Sequence, residues 1–574
     1  MADPVLTLSA AFAAAITAAF GAEHAATDPA IRRSTHADYQ ANAAMALAKR
    51  VGKPPRAVAA AILEHLRLEE ICAKVEIAGP GFFNLHLKNE YLARELTETA
   101  SSRGLGMVPS AAPETVVVDY SAPNLAKEMH VGHLRSTILG DVLARVLEAQ
   151  GNKVIRQNHV GDWGTPFGML IEHLIDRNET EGELSIGDLN TFYQEARGKF
   201  DGDAAFADRA RKRVVLLQGG DEATLVLWRR FVAASTRYFG AAYQRLGVTL
   251  TDADIAGESI YNAELPKLVA ELEASSLARV SEGAMCVFPP GFVGRDGEPL
   301  PLIIRKQDGG YGYPTTDLAA VKHRVQTLHA TRLVYVIGSP QSQHLAMVYA
   351  TAKLAGWLSP PARAEHVAFG SILGPDKKMF KTRSGESVKL LDLISEAIER
   401  AAKVIAEKSS DLDPATSAAV ARAVGVGAIK YADLCNDRIK DYVFDWDRML
   451  AFEGNTAPYL MYARARILSI FRKAEGGASI GAIVVREPAE RALALELLRF
   501  GSVVAEVERT LEPHRLCGYL FELASAYTAF YERCPVLKAA SEEERASRLA
   551  LCDLTAKVLA KGLDLLGIES PDRM

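Results

Sequence analysis

Runs of apolar residues change their spacing twice along this chain, and the changes mark out three regions. Residues 1 to about 110 mix helical spacing with short strand-like runs. Residues 111 to about 405 alternate strand and helix patterns, and residues 406–574 keep a helical period almost throughout. In the central region Val116, Val117 and Val118 form a β-branched run suited to a buried strand. Turn-forming Ser121-Ala122-Pro123-Asn124 follows. From His130 on, Val131, Leu134, Ile138, Val142 and Val146 recur at three- and four-residue steps, so the order reads strand, loop, helix. Val154 to Gln157 and Leu333 to Ile337 predict two more strands. Such alternation predicts an α/β domain with a parallel sheet and ligand sites at the carboxyl ends of its strands. Residues from about 175 to 250 are helical and charged and read as an insertion in that domain.

The first region reads as a small α+β module. Residues 36–66 supply helix patterns broken at Gly52-Lys53-Pro54-Pro55, and two strand-like runs flank Gly79-Pro80-Gly81. The opening MADPVLTLSAAFAAAITAAF is apolar enough to raise a signal peptide. It lacks a basic leading segment and carries Asp3, so it is read as a first helix. Gly104 to Pro113 reads as a linker, and Asp413-Pro414 as a cap and first-turn proline opening the last region, which is expected to be all-α.

A chain of 574 residues exceeds one compact core. The formal net charge of −5 leaves any nucleic-acid surface to a local basic patch. Six cysteines without C-x-x-C pairs indicate neither a zinc site nor a disulfide framework, and fit a reducing compartment such as the cytoplasm. No run reaches transmembrane length, so no membrane partner is expected.

Four groups of residues carry candidate chemistry. His130-Val131-Gly132-His133 lies where loop passes into helix, with free N–H groups and the positive end of the helix dipole, and Gly132 permits close approach of a ligand. The same residues also suit two ordinary helix histidines. His159 to Gly164 is a polar, glycine-rich loop that fits either a capped turn or a ligand contact. Lys377, Lys378, Lys381 and Arg383 form a charge run that is either a solvated loop or a phosphate clamp. Tyr459, Tyr462, Arg464 and Arg466 put rings and guanidinia on or near one helical stripe that could stack unpaired bases, although any one ring could equally be core.

The wording SAPNLAKEMHVGHLRST resembles the HIGH signature of class I aminoacyl-tRNA synthetases in its arginyl form. Lys378-Met379-Phe380-Lys381 followed by Thr-Arg-Ser-Gly resembles that family's version of KMSKS, with Phe380 where the general motif has serine. GDWG-x-x-FG, YADLCNDRIKDYVFDWDRMLAFEGNTAPYLMYARARILSIFRK and the ending LAKGLDLLGIESPDRM are also similar to arginyl-tRNA synthetases. The resemblance implies a Rossmann-type parallel-sheet catalytic domain over 111–405, an N-terminal α+β addition domain over 1–110 that touches the corner of tRNA, and an all-α anticodon-binding domain over 406–574. It implies an arginine–tRNA ligase with ATP and Mg2+, L-arginine and tRNA(Arg) as partners, no tightly bound protein metal, and a cytoplasmic monomer. His130, Gly132, His133, Lys378 and Lys381 would bind ATP, with the histidines and lysines catalytic. Glu258, Tyr313 and Asp317 would hold the guanidinium, and Asn124 and Gln341 the amino-acid head. Asp317 could by itself be a helix-end carboxylate or salt-bridge partner. The rival readings are a class I ligase for another amino acid and a non-catalytic tRNA-binding paralogue.

Overall fold

The computed structural model describes residues 3–125, 127–178, 186–294, 297–380, 388–408, 412–474 and 479–574. The β-branched run falls in the strand Thr115–Asp119, inside a four-stranded parallel sheet ordered Arg363–His366, Arg332–Tyr335, Thr115–Asp119, Lys153–Gln157. Val116, Val117 and Val118 are fully buried because neighbours cover both sheet faces, the usual setting of a parallel sheet. Helix Val131–Ala149 turns Leu134, Ile138, Val142 and Val146 inward and carries the chain from Thr115–Asp119 to Lys153–Gln157 on one side. Arg332–Tyr335 pairs on the other side, so connections diverge from two adjacent strands and their carboxyl ends open a crevice.

The opening apolar run is the helix Pro4–Phe20, whose Leu8, Phe12 and Ile16 are buried; Phe12 meets Phe83 edge-on at 5.0 Å. Gly52, at φ 65°, ends Ala43–Val51 before Pro55–His65 begins. Cys72–Ala78 and Phe82–Leu87 pair antiparallel across the Gly79–Gly81 turn. The expected insertion is three helices, Ile186–Gly202, Ala204–Gln218 and Glu222–Leu246. Residues 104–113 are no free tether. Ser110 N–H donates to the Gln150 carbonyl at 2.8 Å, and Gly106 packs so close to Gly501 that a side chain there would overlap its carbonyl.

Among its described residues the last region has six long helices, from Pro414–Leu434 to Glu542–Leu565. Its first helix is capped by Asp413, which accepts from the Ala415 and Thr416 N–H groups. It departs from the all-α expectation at Tyr442–Val443, which pairs in parallel with Ile372–Leu373 of the central region. Helical spacing hid that strand because it is only two residues long. Arg135, two residues past His133, reaches the same junction. It is buried, bonds Asp433 at 3.1 Å and the Lys440 carbonyl at 3.0 Å, and lies over the Tyr442 ring. Among the described residues no helix is long and apolar enough to cross a membrane.

Candidate active site

The loop leaving Thr115–Asp119 is strained. Ser121 and Ala122 both have positive φ, 69° and 46°, which non-glycine residues rarely adopt. Hydroxyls hold it in place: Ser136 accepts the Ser121 N–H at 2.9 Å and donates to the Val336 carbonyl at 2.6 Å, while Ser121 Oγ lies 2.8 Å from both Thr137 and Tyr243. Consecutive left-handed residues held by buried partners are typical of sites where backbone direction matters.

The loop delivers His130 to the N-terminus of Val131–Ala149, and the two histidines cap that helix reciprocally. His130 Nδ1 accepts the Gly132 N–H at 3.0 Å, and His133 Nδ1 accepts the His130 N–H at 3.2 Å. With both Nδ1 atoms accepting, each ring carries its proton on Nε2. Burial, with Lys127 nearby, lowers the His130 pKa; burial, and then the charge of His130, lower that of His133 to about 4. The pair therefore stays neutral at pH 7 and presents Nε2–H donors at the positive end of a helix, an arrangement suited to phosphate oxygens. Gly132 is required here, since a Cβ would stand 2.7 Å from the His130 ring.

Residues 158–162 form a spine joining the other predicted residues. On one side the Leu125 N–H donates to the Gly161 carbonyl at 3.0 Å, placing Asn124 beside Gly161 so tightly that a Cβ on Gly161 would overlap its side chain. On the other side the Glu258 N–H donates to the Val160 carbonyl at 3.2 Å. Asp162 closes the spine, accepting the Ser259 N–H at 2.9 Å and hydroxyl at 2.5 Å. Tyr313 and Asp317 come from helix Tyr313–Gln326, which Gly312 and Pro314 begin. They lie one turn apart. Tyr313 is 70% exposed at the mouth, and Asp317 is mostly covered. Gln341 immediately precedes helix Ser342–Leu354 and is exposed.

Glu258 thus lies within electrostatic reach of two other carboxylates, Asp162 and Asp317. Burial, with the charges of Asp162 and Asp317, pushes the Glu258 carboxyl up to about 8. Asp162 is raised too, chiefly by burial against its Ser259 bonds. Such a pocket favours a cation, and a guanidinium, always charged and planar, can meet two carboxylates at once.

The described part of the lysine-rich segment opens in a hairpin. Ile372–Leu373 turns back through Gly374, whose N–H donates to the Lys378 carbonyl at 2.7 Å, and the Phe380 N–H returns to the Ile372 carbonyl at 3.1 Å. The hairpin holds Lys378 in solvent, while Phe380 stacks on Phe444 at 4.7 Å and 16°. Lys381 and Arg383 lie outside the described residues. Where the description resumes, the Val131 N–H donates to the Val388 carbonyl and the Leu390 N–H to the Met129 carbonyl, both at 2.9 Å, and Lys389 pairs with Glu128 at 2.7 Å. One flank of the lysine segment is thus tied to the histidine loop, the other to the helical region.

On helix Ala457–Lys473, Tyr462 and Arg466 are exposed, with Arg466 over the Tyr531 ring at 4.7 Å, whereas Tyr459 is half-buried against Phe521. Arg464 is set apart from this stripe: it pairs with Asp572 at 2.8 Å and donates to the Ser570 and Pro571 carbonyls, fastening the chain's last residues.

The sequence left Asp162 within a loop that fits either a capped turn or a ligand contact, and does not single out His344, whose Nε2 lies 2.6 Å from Asp317 Oδ2. The signal for His344 is its place three residues after Gln341, which caps the helix in whose first turn His344 lies.

The model of the class I (R) tRNA synthetase catalytic domain matches residues 95–446, the arginyl-tRNA synthetase N-terminal domain 6–87, and the DALR anticodon-binding domain 460–574. The chain is 57% identical to the arginine–tRNA ligase of Thermobifida fusca, with all of both chains covered, and 52% identical to that of Enterobacter sp. over 95% of this chain and 96% of the relative. Among solved structures, the arginyl-tRNA synthetase of Plasmodium falciparum is 29% identical with a TM-score of 0.85, covering 99% of each chain. The Thermus thermophilus arginyl-tRNA synthetase is 27% identical with a TM-score of 0.83, covering both chains completely. With its three regions matched in order by that family's models and relatives alike along their length, the chain belongs to the arginyl-tRNA synthetases.

Proposed function

We propose that the chain is an arginine–tRNA ligase, and that the convergence of Asp162, Glu258 and Asp317 is the arginine side-chain pocket. In the first step the arginine carboxylate attacks the α-phosphorus of ATP, the α–β phosphoanhydride breaks, and pyrophosphate leaves. In the second, the terminal ribose 2′-OH of tRNA(Arg) attacks the arginyl carbonyl and AMP leaves. Glu258 and Asp317 oppose the guanidinium, Tyr313 walls the mouth, and Asn124 and Gln341 address the amino-acid head. His130 and His133 donate Nε2–H bonds to the nucleotide without changing protonation. Lys378, with Lys381, meets the charge that builds as pyrophosphate departs, where a contact raises rate rather than ground-state affinity. Among the described residues no group of three or more His, Cys, Asp or Glu side chains is gathered to hold a metal. Mg2+ is taken to arrive on the ATP phosphates, whose charge it neutralises.

Residues 1–110 are proposed to touch the tRNA corner, and 406–574 the anticodon, with Tyr459, Tyr462 and Arg466 on the contacting face and Arg464 bracing it from behind. A cytoplasmic monomer completes the reading. The carboxylate pocket is the observation that carries it, because burying like charges together costs free energy unless a cationic substrate compensates. The test is amino-acid-dependent exchange of pyrophosphate into ATP, with and without tRNA. Exchange with arginine alone among the twenty amino acids is expected. Exchange driven by another amino acid would reassign the pocket, and silence in every lane despite tRNA binding would favour a non-catalytic paralogue.

A further inference from the structure

We propose that His344 is a positioning residue of the arginine site, holding Asp317 in the rotamer that faces the guanidinium. This rests on the reading of Asp317 as an arginine ligand. A carboxylate can only accept, so the 2.6 Å contact is His344 Nε2–H donating to Asp317 Oδ2, which leaves the other oxygen to meet substrate. The need for a holder follows from the surroundings. Asp317 lies within electrostatic reach of the Glu258 carboxyl, and its side chain is 22% exposed. Repulsion from that neighbour would turn an unrestrained carboxylate toward water. Its backbone is fixed, since the Thr315 hydroxyl ties that turn of helix to the Ile304 carbonyl, but this leaves the side-chain rotamer free.

His344 supplies the missing restraint from a different element. It lies in the first turn of Ser342–Leu354, three residues after Gln341 and on the same side of that helix. One helix start therefore carries both a residue aimed at the amino-acid head and the donor that orients the side-chain carboxylate. A shift of that helix would misplace both ends of the arginine together, which couples recognition of the two ends.

The experiment measures arginine and ATP KM and kcat in pyrophosphate exchange for His344→Ala, His344→Gln, Asp317→Asn and the His344→Ala/Asp317→Asn pair, using full-length protein with tRNA present. Loss of a hydrogen bond to a charged group predicts an arginine KM raised by about tenfold or more in His344→Ala, with the ATP KM within about twofold. His344→Gln, whose amide N–H can reach the same oxygen, recovers most of it. In the Asp317→Asn background the alanine change adds little, because its target is gone. An arginine KM near that of the native chain in His344→Ala, or an equal rise with Asp317 already replaced, overturns the proposal while leaving Asp317 an arginine ligand. Unchanged arginine binding in a folded Asp317→Asn variant removes Asp317 from the site and the proposal with it. A matching unfolding midpoint for His344→Gln separates positioning from loss of fold.

Discussion

In the proposed pocket, Glu258 would make arginine binding a proton-releasing event. Burial and the charges of Asp162 and Asp317 push its carboxyl up to about 8 from an ordinary 4.5. At pH 7 roughly nine in ten free molecules then carry the proton. A bound guanidinium reverses the balance, so each arginine displaces about 0.9 proton at that pH. Affinity is full above pH 8 and falls by up to about tenfold per unit below it, until the lowered pKa of the complex is reached. The sign for stability is opposite. A folded-state pKa above the unfolded value gives stability that is present below 4.5 and lost as pH rises toward 8. By pH 7 the loss amounts to about 3 kcal/mol at most, less where solvent screens the pocket. Glu258→Gln stays neutral in both states, so it should raise the unfolding midpoint at pH 7 while weakening arginine and flattening the pH dependence. Calorimetric titration of arginine from pH 6 to 9, in buffers of different ionisation enthalpy, reads proton release and affinity together. Equal affinity at pH 6 and 9 with no buffer-dependent heat would refute the reasoning, as would an unchanged profile in Glu258→Gln.

Three other perturbations follow from the geometry. Gly132→Ala brings a methyl within 2.7 Å of the His130 ring and must turn that imidazole out of its cap. Pyrophosphate exchange should fall by about a hundredfold, the scale of losing one preorganised donor, and calorimetry should show an unfolding midpoint little changed. Arg135→Met strands the Asp433 carboxyl in a buried site and should cost about 3–5 kcal/mol in denaturant unfolding, with Arg135→Met/Asp433→Leu recovering much of it. Phe380→Ala removes the stack on Phe444 that steadies the Lys378 hairpin. A stack of about 0.5–1.5 kcal/mol predicts up to about a tenfold loss of exchange kcat with Phe380→Tyr close to native, and equal rates for the alanine variant would show that the stack does not position Lys378.

The sequence made local order legible and left lateral order hidden. Val116 to Val118 announced a buried strand because β-branched runs on a two-faced sheet need no alternation, and the step from Leu134 to Val146 announced the helix behind the histidines. The reciprocal cap could also be read in outline, since His130 and His133 stand three apart at a helix start. No period reveals that the charges of Asp162 and Asp317 bear on Glu258: they come from a loop, a helix and a short 3₁₀ turn, and only tertiary packing brings them within reach. Positive φ at Ser121 and Ala122 was equally silent, because neither residue favours that region on its own. Arg464 misled for a related reason. It stands two residues from Tyr462, hence on another face, but what it grips is the chain's last turn, about a hundred residues away.

Two costs are concentrated at this site, and they differ in when they can be relieved. The left-handed backbone at Ser121 and Ala122, each residue on the order of 1–3 kcal/mol, is offset by hydroxyl bonds and by packing that exist before any substrate arrives. On the proposed reading it serves preorganisation, fixing His130 where the nucleotide would bind. The repulsion acting on Glu258 is met in the free protein by the proton that Glu258 takes up, with Asp162 and Asp317 held by Ser259 and His344, and a cation would relieve it further. On that reading rigid strain sits under the proposed nucleotide half of the crevice and titratable strain under the proposed amino-acid half. Arginine, more than ATP, is then the substrate whose binding should stabilise the fold, and that stabilisation should grow as pH rises from 6 to 8.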